Sequence, residues 1–113
     1  MTPQKLMDTL RGFAATQGFE LNAEEAHVLA LMEGLLRNEA RYGYRLCPCR
    51  LARNDRELDR DIICPCVYRP PDVAEFGSCY CGLYVSPAWN RGEIGHAYVP
   101  ERRPLEKRSP KAP

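Results

Sequence analysis

Residues 1–43 place apolar side chains at a helical period, and the rest of the chain does not. Leu6, Leu10, Phe13 and Ala14 recur every three or four positions, the spacing that lays one stripe along a helix. Thr2 before Pro3 marks the start, because proline is tolerated where the first N–H would have no helical partner anyway. Gly18 marks the stop. Val28, Leu31, Met32, Leu35 and Leu36 give a second stripe that ends near Gly43. Asn22 with Glu25 three residues on has the spacing of a capping box at its entry. Both stripes read as core, and neither predicted helix carries a chemical motif.

After Gly43 the pattern breaks. Asn54 is placed to cap a short helix over residues 55–61, with Leu58 and Ile62 facing inward. Pro70-Pro71 interrupts the chain, and Asp72 to Phe76 reads as one helical turn closed by Gly77. Leu83, Tyr84 and Val85 form a short apolar run suited to a strand or an extended packing segment. The expected organisation is a single domain over 1–100, helical over 1–43 and cysteine-rich over 44–100, followed by an extended or disordered tail at 101–113. The fold class is mainly α.

Composition adds a constraint. A chain of 113 residues has a modest core, and its ten prolines and eight glycines fall mostly after residue 43. A half so rich in turns calls for a cross-link or a metal. The six cysteines supply the means, in three Cys-x-Cys pairs at Cys47/Cys49, Cys64/Cys66 and Cys79/Cys81. Their division is open at this point: four metal ligands plus a redox dithiol, a zinc site with two spare thiols, or three disulfides.

The sequence has no apolar run near the roughly 20 residues of a membrane span, and residues 1–20 lack the apolar core of a secretory signal. A cytoplasmic protein is expected, where clustered thiols serve as ligands or catalysts more often than as staples. The net charge of +1 is unevenly spread: six arginines against three acids over 41–60 give a basic stretch between the first two pairs. That stretch suits either an anionic partner or a solvated arginine-rich helix. With few aromatics among the basic residues, nucleic acid is not an expected partner.

Four thiolates complete the ligand set of a 4Fe–4S cluster or of a zinc ion. Zinc sites usually use Cys-x2–4-Cys pairs that bring both sulfurs to one ion, and the tighter Cys-x-Cys fits that poorly. A cuboidal cluster offers separate iron corners, so neighbouring cysteines can bind different irons. Pro48 and Pro65 stiffen two of the loops. This chemistry favours a cluster, without saying which four thiols hold it.

The ordered segments GYRLCPCR, CPCV and CYCGLYV resemble the catalytic subunit of ferredoxin:thioredoxin reductase over roughly residues 20–100. The resemblance implies a 4Fe–4S cluster held by Cys47, Cys64, Cys66 and Cys79, with Cys49 and Cys81 as the active-site disulfide. It also implies that ferredoxin or another one-electron donor feeds the cluster, and that Cys81 interacts with an iron corner. Cys49 is thereby freed to attack the disulfide of thioredoxin or a thioredoxin-like protein. A separate variable-type subunit is a further implied partner. Arg50, next to Cys49, is a candidate for lowering its pKa or a plain surface arginine.

The chain departs from this pattern at the third pair, where Tyr80 replaces a histidine. A phenol titrating near 10 is a poor proton shuttle at neutral pH, so packing is the first expectation for Tyr80 and orienting a sulfur the second. His96 is a spatial substitute or a surface histidine, and His27 is the weaker candidate. The gaps of 14 and 12 residues between pairs differ from the plant-type pattern, marking Pro70 to Phe76 as an insertion. Trp89 either flanks a docking face or packs.

Overall fold

The structure is a computed structural model, and it describes residues 1–108. Helix α1 (Pro3–Thr16) begins where expected: the Thr2 hydroxyl accepts from the Lys5 N–H at 3.2 Å, with proline in the first turn. Helix α2 (Glu25–Tyr42) ends at Gly43, whose φ of 86° is the left-handed geometry that closes helices. The two helices pack as a hairpin. Leu6, Met7, Leu10 and Ala14 meet Val28, Leu31, Met32 and Leu35 in one buried cluster, while Phe13 stays at the margin.

The capping box does not form. Asn22 turns its side-chain oxygen to the Glu24 N–H and its amide nitrogen to the Gly82 carbonyl, both at 2.9 Å. Instead of capping α2, it ties the helix entry to the third cysteine pair.

Strand β1 (Glu20–Leu21) pairs antiparallel with β2 (Tyr84–Val85), Leu21 opposite Tyr84. Only β2 had a signal in the sequence, because two residues of β1 show no alternation. Helix α3 (Arg69–Phe76) starts earlier than expected. Pro70 and Pro71 occupy its first turn, where proline suits the helix instead of breaking it, and Gly77 closes it. No helix runs from 55 to 61. Asn54 lies at φ 57°, Asp55 caps the following turn through the Glu57 and Leu58 N–H groups, and a 3-10 turn covers Arg60–Ile62. Helices α4 (Pro87–Asn90) and α5 (Leu105–Arg108) are single turns. The whole is a small, mainly α domain.

Residues 101–108 run along the domain surface as a strap instead of hanging free. Arg103 is 1% exposed; it reaches Asp61 at 2.9 Å, the Leu58 carbonyl at 3.1 Å and Asp59 at 3.8 Å. Arg102 pairs with the fully buried Asp72 at 2.7 Å. Residues 109–113 of the expected tail lie outside the described residues.

Helix α2 also seats the first cysteine loop. A Cβ on Gly34 would stand 2.9 Å from Cβ of Pro48, so the absence of a side chain lets that proline lie against the helix. Gly34→Val is therefore expected to cost about 1–3 kcal/mol of stability through overpacking. A thermal melt checks this: an unchanged Tm would mean that the loop moves aside freely.

Candidate functional site

The first and third cysteine pairs sit on tight turns. The Arg50 N–H reaches the Cys47 carbonyl at 3.2 Å, and the Gly82 N–H reaches that of Cys79 at 3.0 Å. The first and third pairs thus occupy equivalent places on four-residue turns, with Pro48 at the position that favours its fixed φ. Gly82 supplies a φ of 74°. The second pair leads into a turn, with the Arg69 N–H 3.2 Å from the Cys66 carbonyl, and its Cys64–Pro65 peptide is cis.

Backbone bonds bring the turns together. The Cys47 N–H donates to Ile62 at 2.9 Å and the Cys64 N–H to Arg45 at 2.8 Å, across the Leu46–Ile63 bridge. The Cys79 N–H donates to the Tyr84 carbonyl at 2.9 Å, fixing the third turn to β2. As a result Cys47, Cys64, Cys66, Cys79 and Cys81 line one hollow. Cys49 is exposed and lines a second, outward-facing cavity with Leu51, Glu101, Arg103 and Arg108. Arg50 and Tyr80 form walls of both.

The thiols interact. Sγ of Cys79 and Sγ of Cys81 are 3.8 Å apart, and the Tyr84 N–H donates to Cys79 Sγ at 3.3 Å. The neighbouring Cys47 and Cys81 thiols pull the Cys49 pKa down to about 4, outweighing its burial. The Cys81 thiol is correspondingly pushed well up, first by its contact with Cys47. Burial pushes Cys64 and Cys66 up.

Arg50 is not a surface residue. Its side chain is 1% exposed, and its Nε and NH2 grip Glu101 at 2.9–3.1 Å. NH1 points to Cys66 Sγ at 3.5 Å and Cys47 Sγ at 3.8 Å. Tyr80 lies over the same guanidinium at 4.6 Å and Tyr68 at 5.2 Å. The place of Tyr80 is therefore a lid on Arg50, with the ring stabilised by the cation beneath it.

Of the two histidines, His27 is the one at the cysteines. Its Nε2 stands 2.9 Å from the Cys81 carbonyl, and a Cβ on Gly82 would come within 3.2 Å of it. Position alone hides this, because His27 lies 54 residues before Cys81. His96 stacks on Trp89 with ring centroids 3.5 Å apart, away from the hollow, so both residues pack against each other.

The hollow also holds polar groups with nothing to bond. Arg69 Nε, Arg69 NH1 and the Tyr84 hydroxyl are buried without a hydrogen-bond partner, and both residues line it. Five soft sulfur donors facing a buried cation and unused donor groups suit an anionic, thiolate-bound iron–sulfur group. No three of the described His, Cys, Asp or Glu residues converge as a site for one metal ion.

Residues 2–108 match the family model of the ferredoxin thioredoxin reductase catalytic beta chain. The ferredoxin-thioredoxin reductase catalytic chain of Porphyra purpurea is 30% identical over 88 residues, which is 72% of this chain and 70% of that relative. These matches identify an oxidoreductase that acts on disulfides. The chain belongs to the ferredoxin thioredoxin reductase catalytic chain family, whose members bind an iron–sulfur cluster. Among the described residues no helix is long and apolar enough to cross a membrane.

The strap closes this site through carboxylates. Burial acts to raise the Glu101 and Asp61 pKa values, but hydrogen bonds from Arg50 to Glu101, and from Tyr68 and Arg103 to Asp61, outweigh it and hold both below the ordinary range. A depressed carboxylate contributes stability in full above its unfolded pKa and loses it as pH falls through the folded value. Acid unfolding of the wild type should therefore steepen below about pH 4. Glu101→Gln strands the Arg50 charge and should cost about 3 kcal/mol at pH 7. Denaturant titration at both pH values reads this, and equal stability of the two proteins at pH 7 would show that the pair contributes nothing.

Proposed function

We propose that the chain reduces the disulfide of thioredoxin or a thioredoxin-like protein, with electrons from ferredoxin or a similar one-electron carrier. In this reading a 4Fe–4S cluster is held by Cys47, Cys64, Cys66 and Cys79, and Cys49 and Cys81 are the exchange pair. The observation that carries it is the unequal exposure of the thiols: the four ligand candidates and Cys81 line the hollow, while Cys49 alone among the cysteines opens on the outer cavity.

The bound cluster supplies electrons one at a time to a reaction that needs two. The protein residues do the rest. Cys49 attacks as thiolate, its sulfur bonds to one sulfur of the target disulfide, and the other target sulfur leaves as thiolate. Cys81 then attacks Cys49 Sγ, which frees the second target thiol and closes the Cys49–Cys81 disulfide. Two electrons and two protons return that disulfide to the dithiol. The His27 bond to the Cys81 carbonyl and the Gly82 turn hold Cys81 for this step. Tyr80 keeps Arg50 in place, with no proton transfer assigned to its hydroxyl. The exposed Leu51 beside Cys49 is suited to meet a protein target. A variable-type subunit is a further partner implied by the family.

Anaerobic purification followed by iron and acid-labile sulfide analysis tests the assignment. About four of each are expected per chain, whereas one zinc without sulfide would replace this reading with a zinc-binding interaction module. Cys49→Ser and Cys81→Ser should keep the iron and abolish disulfide reduction; Cys64→Ser and Cys79→Ser should lose iron. Iron loss from Cys49→Ser would break the division of the thiols. Tyr80→Phe keeps the ring over Arg50 and should retain turnover within about threefold, a loss on the order of 100-fold being the mark of a proton donor instead.

A further inference from the structure

Arg69 is 6% exposed, and it forms no ion pair among the described residues. Three rings surround its guanidinium: Phe19 at 4.6 Å, Tyr84 at 4.7 Å and Phe13 at 5.5 Å. Aromatic faces stabilise the charge but accept none of its hydrogen bonds well, so Nε and NH1 stay unsatisfied. The Tyr84 hydroxyl, 1% exposed as a residue, is unsatisfied beside them. A core filler would not carry these costs, since a methionine would occupy similar space without a charge.

What the cation faces is the cysteine hollow. Arg69 and Tyr84 line it with Cys64, Cys79, Cys81 and Arg50. The two arginines differ in how their charge is spent. Arg50 is neutralised by Glu101 at 2.9 Å, whereas Asp72, one turn along α3 from Arg69, is paired to Arg102. Among the described residues, Arg69 is the one that brings a positive charge to the hollow without a carboxylate of its own.

Resting on the iron–sulfur reading above, we propose that Arg69, with the Tyr84 hydroxyl, sets how readily the group in the hollow accepts an electron. A fixed cation and a hydrogen-bond donor both favour the more negative, reduced state, and protein hydrogen bonds and net charge are recognised levers on cluster potentials. The aromatic cage holds the guanidinium in one place and keeps water from screening it. Arg69 is thus a positioning and tuning residue, not one that touches the target.

The test is spectroelectrochemical titration of the iron-loaded full chain under anaerobic conditions, with iron and sulfide measured on each sample. Arg69→Gln should retain wild-type iron while its one-electron reduction equilibrium falls about tenfold, a midpoint about 59 mV more negative. Arg69→Lys keeps the charge and should stay within about threefold of wild type. Tyr84→Phe removes one donor with little change of volume and should shift the same way by about threefold; it decides the matter if Arg69→Gln fails to hold iron. An unmoved potential in Arg69→Gln, or an equal shift in Arg69→Lys, would overturn the inference while leaving the proposed function intact. A wild-type chain without iron and sulfide would overturn both.

Discussion

Arg50, Arg69 and Arg103 are each buried in a chain of 113 residues, and each loses hydration that something around it must offset. Buried charges persist only where partners offset their lost hydration. Arg103 meets Asp61 and Asp59, Arg50 meets Glu101 and two sulfurs, and Arg69 among the described residues meets aromatic rings at the edge of the cysteine hollow. This requirement explains why the strap belongs to the domain. Glu101 and Arg103 are neighbours in it, each satisfying an opposite charge near the cysteine loops. Within the basic stretch at 41–60, Arg50 faces inward to a carboxylate and sulfur, while Arg41, Arg56 and Arg60 stay exposed.

The helical hairpin supplies what loops cannot, a rigid wall. Gly34 seats Pro48, His27 holds the Cys81 carbonyl, and Asn22 holds that of Gly82, so α2 and its entry fix the first and third turns from one side. The second turn hangs from the Leu46–Ile63 bridge and from α3. Sulfurs from three separate loops therefore share one hollow without a disulfide among them.

The helices were legible because Leu6 to Ala14 and Val28 to Leu35 repeat at a period that only a helix can bury on one face. The family was legible because proline between cysteines, twice and in order, is a rare arrangement, and the matches over 2–108 agree with it. Contacts that depend on distant partners were not legible. Asn22 looked like a cap because local spacing cannot reveal Gly82 sixty residues away. Arg50 read equally well as a surface residue because Glu101, 51 residues on, is what buries it. Pro70-Pro71 looked like a break because the same dipeptide either ends a helix or begins one.

Cys49 and Arg50 are adjacent in sequence yet face opposite ways, the thiol outward and the guanidinium in. The turn that starts at Cys47 produces this, because successive side chains diverge around it. One turn can therefore present a thiol to a target while its neighbour grips sulfurs and strap. Tyr80, on the equivalent third turn, completes the arrangement by covering that guanidinium between the two cavities. A histidine at that position would offer a smaller, titratable ring, and in its charged form would repel Arg50. Tyr80 instead sets a neutral aromatic face over the buried cation.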